Sequence, residues 1–368
     1  MIVDRRLVPH IDWACIAALV ALMALGLAAI YSAKWDFVHQ APGREFWKQL
    51  YAVGISLGVF ALCLIIDYRA LTQRSLILYG VLIALLLAVM VFGAVRNGSR
   101  RWIPLPYFDF QPSEFARVTV ALVLAAYFSG TQRLSRSARE IGIGVLFLAV
   151  PLLLIARQPD FGTAVTLIPV FVGIVFVGGM RLKWLGVAAV MALVLAYPVY
   201  RFVLQDYQRN RIETFFNPAL DPQVKGYQPI QARIAVGSGG LFGKGFGGAT
   251  QAGGYGFLPE AHNDFVFSGF AEEHGFTGVL VALFLYVFVI MRALDAAKLA
   301  KDRLGAYLVI GILSSFVFQV VYNIAMSAAL APVKGLTLPL MSYGGSSLMA
   351  TLAGFGLILN VRMRRFTN

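Results

Sequence analysis

Ten apolar stretches of 15–27 residues, separated by short polar segments, dominate this sequence: Ile11–Ser32, Trp47–Ile66, Leu76–Val95, Phe115–Ser129, Ile141–Ala156, Phe161–Gly179, Trp184–Leu204, Phe265–Met291, Gly305–Leu330 and Leu340–Val361. A helix crossing a bilayer needs about 20 apolar residues, so each stretch is a candidate span, the fourth and fifth being short. The expected fold is an all-α polytopic integral membrane protein with about ten transmembrane helices. Composition supports this: 59% of the 368 residues are hydrophobic and 13% charged, whereas a soluble domain carries about 25% charged residues. Disorder is excluded on the same ground. The two cysteines, Cys15 and Cys63, lie inside apolar runs and read as small buried hydrophobes rather than a disulfide framework. The first stretch is followed by no small-x-small cleavage site and is expected to be a retained span.

The net charge of +13 is a topology signal before it is a nucleic-acid signal. Sixteen Lys and Arg residues fall in one set of segments (5–6, 69–74, 133–139, 181–183, 292–303 and 362–365), and eight in the short loops of the other set. The basic-rich set should face the cytoplasm, which puts both termini inside. The 205–263 connection then lies outside. It is too long for a connector and too short for an ordinary domain, so residues 1–368 are read as one membrane domain with an extracytoplasmic loop. Between Gly237 and Gly256, 10 of 20 residues are glycine, interleaved with Phe242, Lys244, Phe246 and Tyr255. A flexible linker uses Gly and Ser rather than repeated aromatics; backbone lying close to the membrane surface or to a ligand is the other reading. Its glycine content leads to the expectation that this loop moves.

Charges at membrane depth are costly, which makes each a functional candidate. They gather on the outer side. Arg100 and Arg101 precede Trp102, and Glu114 and Arg117 sit three apart, on one helical face, as an ion pair or as the charged wall of a cavity. Asp160 precedes the run at Phe161 and suits a helix N-cap as well as a ligand contact. In FLPEAHNDFVFSGFAEEHG (257–275), Asp264, Ser268 and Glu272 recur at i, i+4 and i+8 as one polar stripe. Asp264 reads either as a cap or as a general base at an apolar border. Glu260, His262 and Asp264 leave a shared divalent ion open; no other cofactor is called for. Arg100, Arg101, Arg117, Arg157 and Lys244 suit an anionic amphiphile such as a lipid-linked pyrophosphate. A carboxylate base beside such a cluster suggests group transfer.

The motifs NGSRRWI (97–103), QPSEFAR (111–117), QPDFGTA (158–164), GYQPIQARIAVGSGGLFGKGF (226–246), FLPEAHNDFVF (257–267), AEEHG (271–275) and PLMSYGGSS (339–347) occur in an order that resembles the SEDS family of bacterial cell-wall proteins, the RodA and FtsW group. The resemblance implies a peptidoglycan glycosyltransferase that polymerises lipid II into β-1,4 glycan at the outer face of the cytoplasmic membrane. It places the family's catalytic aspartate on Asp264, its functional tryptophan on Trp102 and its polar pair on Glu114 and Arg117. Arg117 departs from the lysine frequent there, and His274 from an apolar residue. Arg101, Asp160, Lys244, Glu260 and His262 complete the expected substrate-binding set. GKGF (243–246) with Thr250-Gln251 matches the elongation branch; PEAHND and PVKGLTLP (332–339) look more like the division branch. The implied partners are a class B penicillin-binding transpeptidase and other elongation-complex membrane proteins, with no nucleic acid. A lipid flippase or transporter and a non-catalytic scaffold are the rival readings.

Overall fold

In a computed structural model of the chain, described for residues 9–36, 39–96, 99–105, 108–130, 137–180, 182–203, 206–216, 226–253 and 257–366, helices dominate. They are α1 (Trp13–Ala33), α2 (Arg44–Ile65), α3 (Tyr68–Gln73), α4 (Ser75–Phe92), α5 (Pro112–Ser129), α6 (Ala138–Arg157), α7 (Phe161–Val177), α8 (Leu182–Pro198), α9 (Asp206–Phe216), α10 (Tyr227–Ser238), α11 (Val266–Lys298), α12 (Arg303–Ser327) and α13 (Gly345–Met363). Every predicted span coincides with one of them, and seven are long and apolar enough to cross a membrane. The chain is thus an all-α polytopic membrane protein. Five short strands are added: β1 (Trp35–Asp36) pairs with β2 (Ala41–Pro42), and β3 (Ala94–Arg96), β4 (Ser99–Pro104) and β5 (Asp109–Phe110) form a three-stranded antiparallel ribbon. The third predicted span therefore ends at Phe92, where the chain turns extended at Gly93.

Polar caps start several helices. Ser137 and Glu140 form a reciprocal capping box on α6, which satisfies two otherwise orphaned N–H groups. Asp302 caps α12 through Gly305 N at 2.7 Å. Asp12 caps α1 and also binds Arg292 at 2.7 Å and Arg362 at 2.6 Å. The start of α1 and the ends of α11 and α13 are thereby tied at one end of the bundle. Asp302–Arg69 (3.0 Å) and Asp67–Arg364 (3.1 Å) lie in the same cluster of basic-rich segments. Arg5, Arg6, Arg133, Arg136 and Arg181 of the basic set lie outside the described residues. The middle of the bundle belongs to α13, nearly every residue of which is buried. It packs on α2, α5, α11 and α12. Its helix starts at Gly345, five residues later than the predicted span, because Leu340–Gly344 form a turn with positive φ at Leu340 and Gly344.

Two further features go beyond what the sequence showed. The span beginning at Phe265 is not one straight helix. Gly275, at φ 63° and ψ −162°, interrupts α11. The glycine-rich segment docks into this break: Lys244 N and Gly245 N donate to Glu272 O and Glu273 O, while Phe276 N and Thr277 N donate to Gly240 O and Leu241 O, all at 2.9–3.1 Å. A Cβ on Gly275 would lie 2.3 Å from Gly243 N. Gly275→Ala is therefore expected to lose more than the about 1–3 kcal/mol of the backbone strain alone, read as a lower unfolding midpoint in detergent. The described part of the glycine-rich loop, up to Gly253, is thus a packed strap rather than a linker; residues 254–256 lie outside the description, as do 217–225 of the outer loop. Helix α10 of that loop also packs on the bundle, against α11 and α12. Ala232 and Ala235 of α10 share a small core with Ala249, Ala252, Leu258, Phe265 and Met326.

Candidate active site

A cavity of about 950 Å³ opens at the end of the bundle opposite the Asp12 ion pairs. Its walls come from the start of α2 (Lys48, Gln49), β4 (Arg101, Trp102), the start of α5 (Gln111, Glu114), the α6–α7 turn (Pro159–Thr163), residues 260 and 262–264, and residues from Pro332 to Ser347. The starts of α2, α5, α7 and α13 and the segments after α6 and α12 meet here, which gathers polar side chains at one end of the bundle.

Asp160 organises one wall. Its carboxylate accepts from Thr163 N at 3.3 Å, the cap expected from the sequence, and from Gln111 Nε2 at 2.7 Å. It also pairs with Arg101 Nη1 at 3.1 Å. The Arg101 guanidinium lies 4.3 Å over the Trp102 ring, an arrangement that holds a cation by charge and by the ring's negative face. Cap and cavity contact coexist at Asp160.

On the floor, Glu114 faces the cavity and pairs with Arg117 at 3.4 Å. Arg117 does not line the cavity. Its guanidinium is buried against Ser347 O (3.0 Å), Thr351 Oγ1 (2.9 Å) and Gln319 Oε1. The expectation of a substrate-binding Arg117 is corrected to a buried fork beneath the floor that ties α5 to α12 and α13.

Asp264 lines the cavity from the segment just before α11. The residue that caps α11 is Phe265, without a side-chain bond, so Asp264 does not serve as the cap. Its backbone carbonyl accepts from Asn323 Nδ2 at 2.9 Å, and the same amide binds Leu336 O at 2.6 Å. One buried asparagine thus brings the Asp264 loop against the Lys334–Leu336 loop. A Cβ on Gly335, which has φ +66°, would sit 3.4 Å from Asp264 Oδ2, so the carboxylate lies against bare backbone. Glu260 and His262 line it from the same segment. Among the described residues no three His, Cys, Asp or Glu side chains are arranged to hold a metal ion, so the three-ligand site left open by the sequence is not formed.

The expected stripe does not form either: Asp264 reaches the cavity, Ser268 is buried, and Glu272 points into the strap. The Glu272 carboxylate accepts from Lys244 Nζ at 2.6 Å and from Thr250 N, Gln251 N and Ala252 N at 2.9–3.1 Å. Lys244 is consequently a strap residue and not part of the cavity wall. Arg100, bonded to Val91 O at 3.2 Å, and exposed Arg157 also stand outside the wall. Of the five cations read as a phosphate wall, Arg101 alone lines the cavity. Lys48 and Lys334, which in the sequence entered only the charge balance, join it. Lys334 gave one usable signal, a lysine within an otherwise apolar and proline-flanked turn. Its burial pushes its pKa below the usual lysine value.

His262 is neutral at working pH. Burial, and then the positive charge of Lys34, lower its pKa to about 4, against the opposing pull of Glu260 and Glu45. An unfolded chain protonates this histidine near 6.5. Between those values the unfolded state binds more protons, so stability rises with pH across the window and is fully regained above it. His262→Gln should flatten that acid limb, measured as the unfolding midpoint from pH 4 to 7.

The comparisons with known proteins agree with this architecture. The family model described as cell cycle protein, covering FtsW, RodA and SpoVE, matches residues 12–366. The chain is similar to the peptidoglycan glycosyltransferase MrdB of Escherichia coli K12, with 35% identity over 97% of this chain and 94% of that protein. It is also similar to the probable peptidoglycan glycosyltransferase FtsW of Trichlorobacter lovleyi, with 36% identity over 95% and 92%. Among solved structures, a chain of a peptidoglycan synthase complex that coordinates polymerization and crosslinking aligns at TM-score 0.82 with 32% identity, covering 97% of this chain and 99% of that one. The rod shape determining protein RodA of Thermus thermophilus aligns at 0.72 with 31% identity, covering 97% and 98%. Full-length matches at this identity, on the same helical frame, leave one conclusion: the chain belongs to the SEDS family, the FtsW, RodA and SpoVE group.

Proposed function

We propose that the chain is a peptidoglycan glycosyltransferase of the rod-shape elongation type, polymerising lipid II into β-1,4 glycan strands at the outer face of the bacterial cytoplasmic membrane. The observation that carries this reading is a mixed-charge cavity at one end of the bundle, lined by Asp264 together with Lys48, Arg101 and Lys334. Asp264 removes the proton from the 4-hydroxyl of the acceptor sugar. That oxygen attacks the donor's anomeric carbon and the bond to undecaprenyl pyrophosphate breaks with inversion. The cations stabilise the departing pyrophosphate, where charge accumulates in the transition state. Glu114, Asp160 with Arg101, Trp102, Glu260 and His262 shape and charge the pocket around the sugars. The similarity to MrdB and to a rod shape determining protein favours elongation over division. Both termini lie in the cytoplasm on this reading. A class B penicillin-binding transpeptidase is its partner within a larger elongation complex.

A flippase needs polar groups along the whole crossing. Here the cavity walls come from one set of helix ends, and the opposite ends are closed by Asp12 and Asp302 ion pairs. The test is purified full-length protein with its transpeptidase partner and labelled lipid II in detergent. Glycan ladders are expected on a denaturing gel. Lipid II movement across vesicles without any polymer would replace this reading by the transporter, and neither by the scaffold.

A further inference from the structure

Gln49, His262 and Tyr343 hold one another in a way that the reaction chemistry above does not use. The N–H of Tyr343 donates to His262 O at 2.9 Å. On the other side, Gln49 of α2 brackets the same turn: its Nε2 donates to Ser342 O at 3.4 Å and its Oε1 accepts from Gly344 N at 3.1 Å. The backbone of residue 343 is thereby fixed from two elements. Its ring sits 5.5 Å from the His262 ring, centre to centre, at a tilt of 48°. Both side chains line the cavity, and His262 is two residues before Asp264.

The two rings pack on each other at this tilt and together present an apolar edge to the cavity, beside its charged groups and the apolar side chains of Phe108, Phe161 and Val333. A pyranose offers the complementary surface. Its axial C–H bonds make one face apolar, while its hydroxyl and acetamido groups project from the rim. A phosphate has no such face and would gain nothing from that edge. A lipid chain would bring no partner for an imidazole that stays neutral and keeps one donor and one acceptor nitrogen.

We infer that His262 and Tyr343 form a stacking subsite for the acceptor sugar, a 2-acetamido pyranose, which seats its 4-hydroxyl at Asp264. The subsite rests on the transferase reading and sharpens it: the ring pair holds the sugar that loses the proton, and the cations hold the one that loses pyrophosphate.

Two measurements test it. In polymerisation assays with the full chain and its partner, Tyr343→Ala should raise the lipid II concentration at half-maximal rate about 3- to 10-fold, with a smaller effect on the maximal rate. Tyr343→Phe, which keeps the ring, should recover most of that loss. In saturation-transfer NMR on Asp264→Asn protein, the soluble disaccharide of N-acetylglucosamine and N-acetylmuramic acid should receive magnetisation on its ring C–H protons. Adding Tyr343→Ala or His262→Ala should remove it. If Tyr343→Ala does not fold, Tyr343→Leu keeps the apolar bulk without the ring and is expected to behave as Ala. Unchanged concentration dependence, or Tyr343→Phe no better than Ala or Leu, overturns the subsite. Disaccharide binding that needs Tyr343, together with a wild-type complex that makes no glycan, keeps the sugar subsite and overturns the transferase reading instead.

Discussion

Asp264→Asn should abolish glycan synthesis while leaving the protein folded and bound to its partner. The substitution keeps shape and polarity but removes the basic oxygen. A positioned general base contributes about 10²–10⁴-fold to rate, so the residual polymerisation should fall by at least the lower figure. The fold should survive, because the loop is held by the Asp264 backbone carbonyl on Asn323 and the side chain caps no helix. Asp264→Glu lengthens the arm toward Gly335, whose backbone already lies beside the carboxylate, and is expected to recover little. The measurement is lipid II consumption by purified wild-type and variant complexes, with unfolding midpoint and co-purification of the partner as controls. Wild-type turnover by Asp264→Asn would remove Asp264 from the chemistry.

The second large effect is on stability. Arg117→Met leaves the buried Glu114 carboxylate without its cation and strips partners from Gln319, Ser347 O and Thr351. Removing one member of a buried pair costs about 3–5 kcal/mol, since the other charge remains desolvated. The double variant Arg117→Met with Glu114→Leu should recover part of that loss, because no lone charge is then left inside. Unfolding of the single and double variants in mixed detergent, read as a mutant cycle, checks this. A double-variant loss equal to the sum of the Arg117→Met and Glu114→Leu losses would show that the ion pair carries none of the stability. Arg117→Lys should fall between, as a point charge cannot serve Thr351 and Gln319 with one planar fork.

The sequence made the membrane frame readable because hydropathy is a local property: each span is visible within its own 20 residues. Asp264 and Asp160 were readable for a related reason, a carboxylate at the edge of an apolar run. What stayed hidden depends on distance along the chain. Lys244 and Glu272 are 28 residues apart, and nothing in either neighbourhood says that the lysine is consumed by the strap. Lys48, Lys334 and Tyr343 reach the cavity from segments almost 300 residues apart. Arg117 reads as a wall residue until α12 and α13 are seen to occupy its guanidinium. Gly275 could have been found: a glycine following two acids and a histidine inside a long apolar run invites a break.

The position of α13 has a consequence for biosynthesis. The helix most enclosed by its neighbours among the described ones is synthesised after α2, α5, α11 and α12, which surround it. Ser346 and Ser347, at its start, belong to the cavity wall. Until that segment has left the ribosome and inserted, α2, α5, α11 and α12 surround an unfilled centre, and the pocket lacks one side. The cavity wall is therefore complete only once α13 has joined the helices synthesised before it.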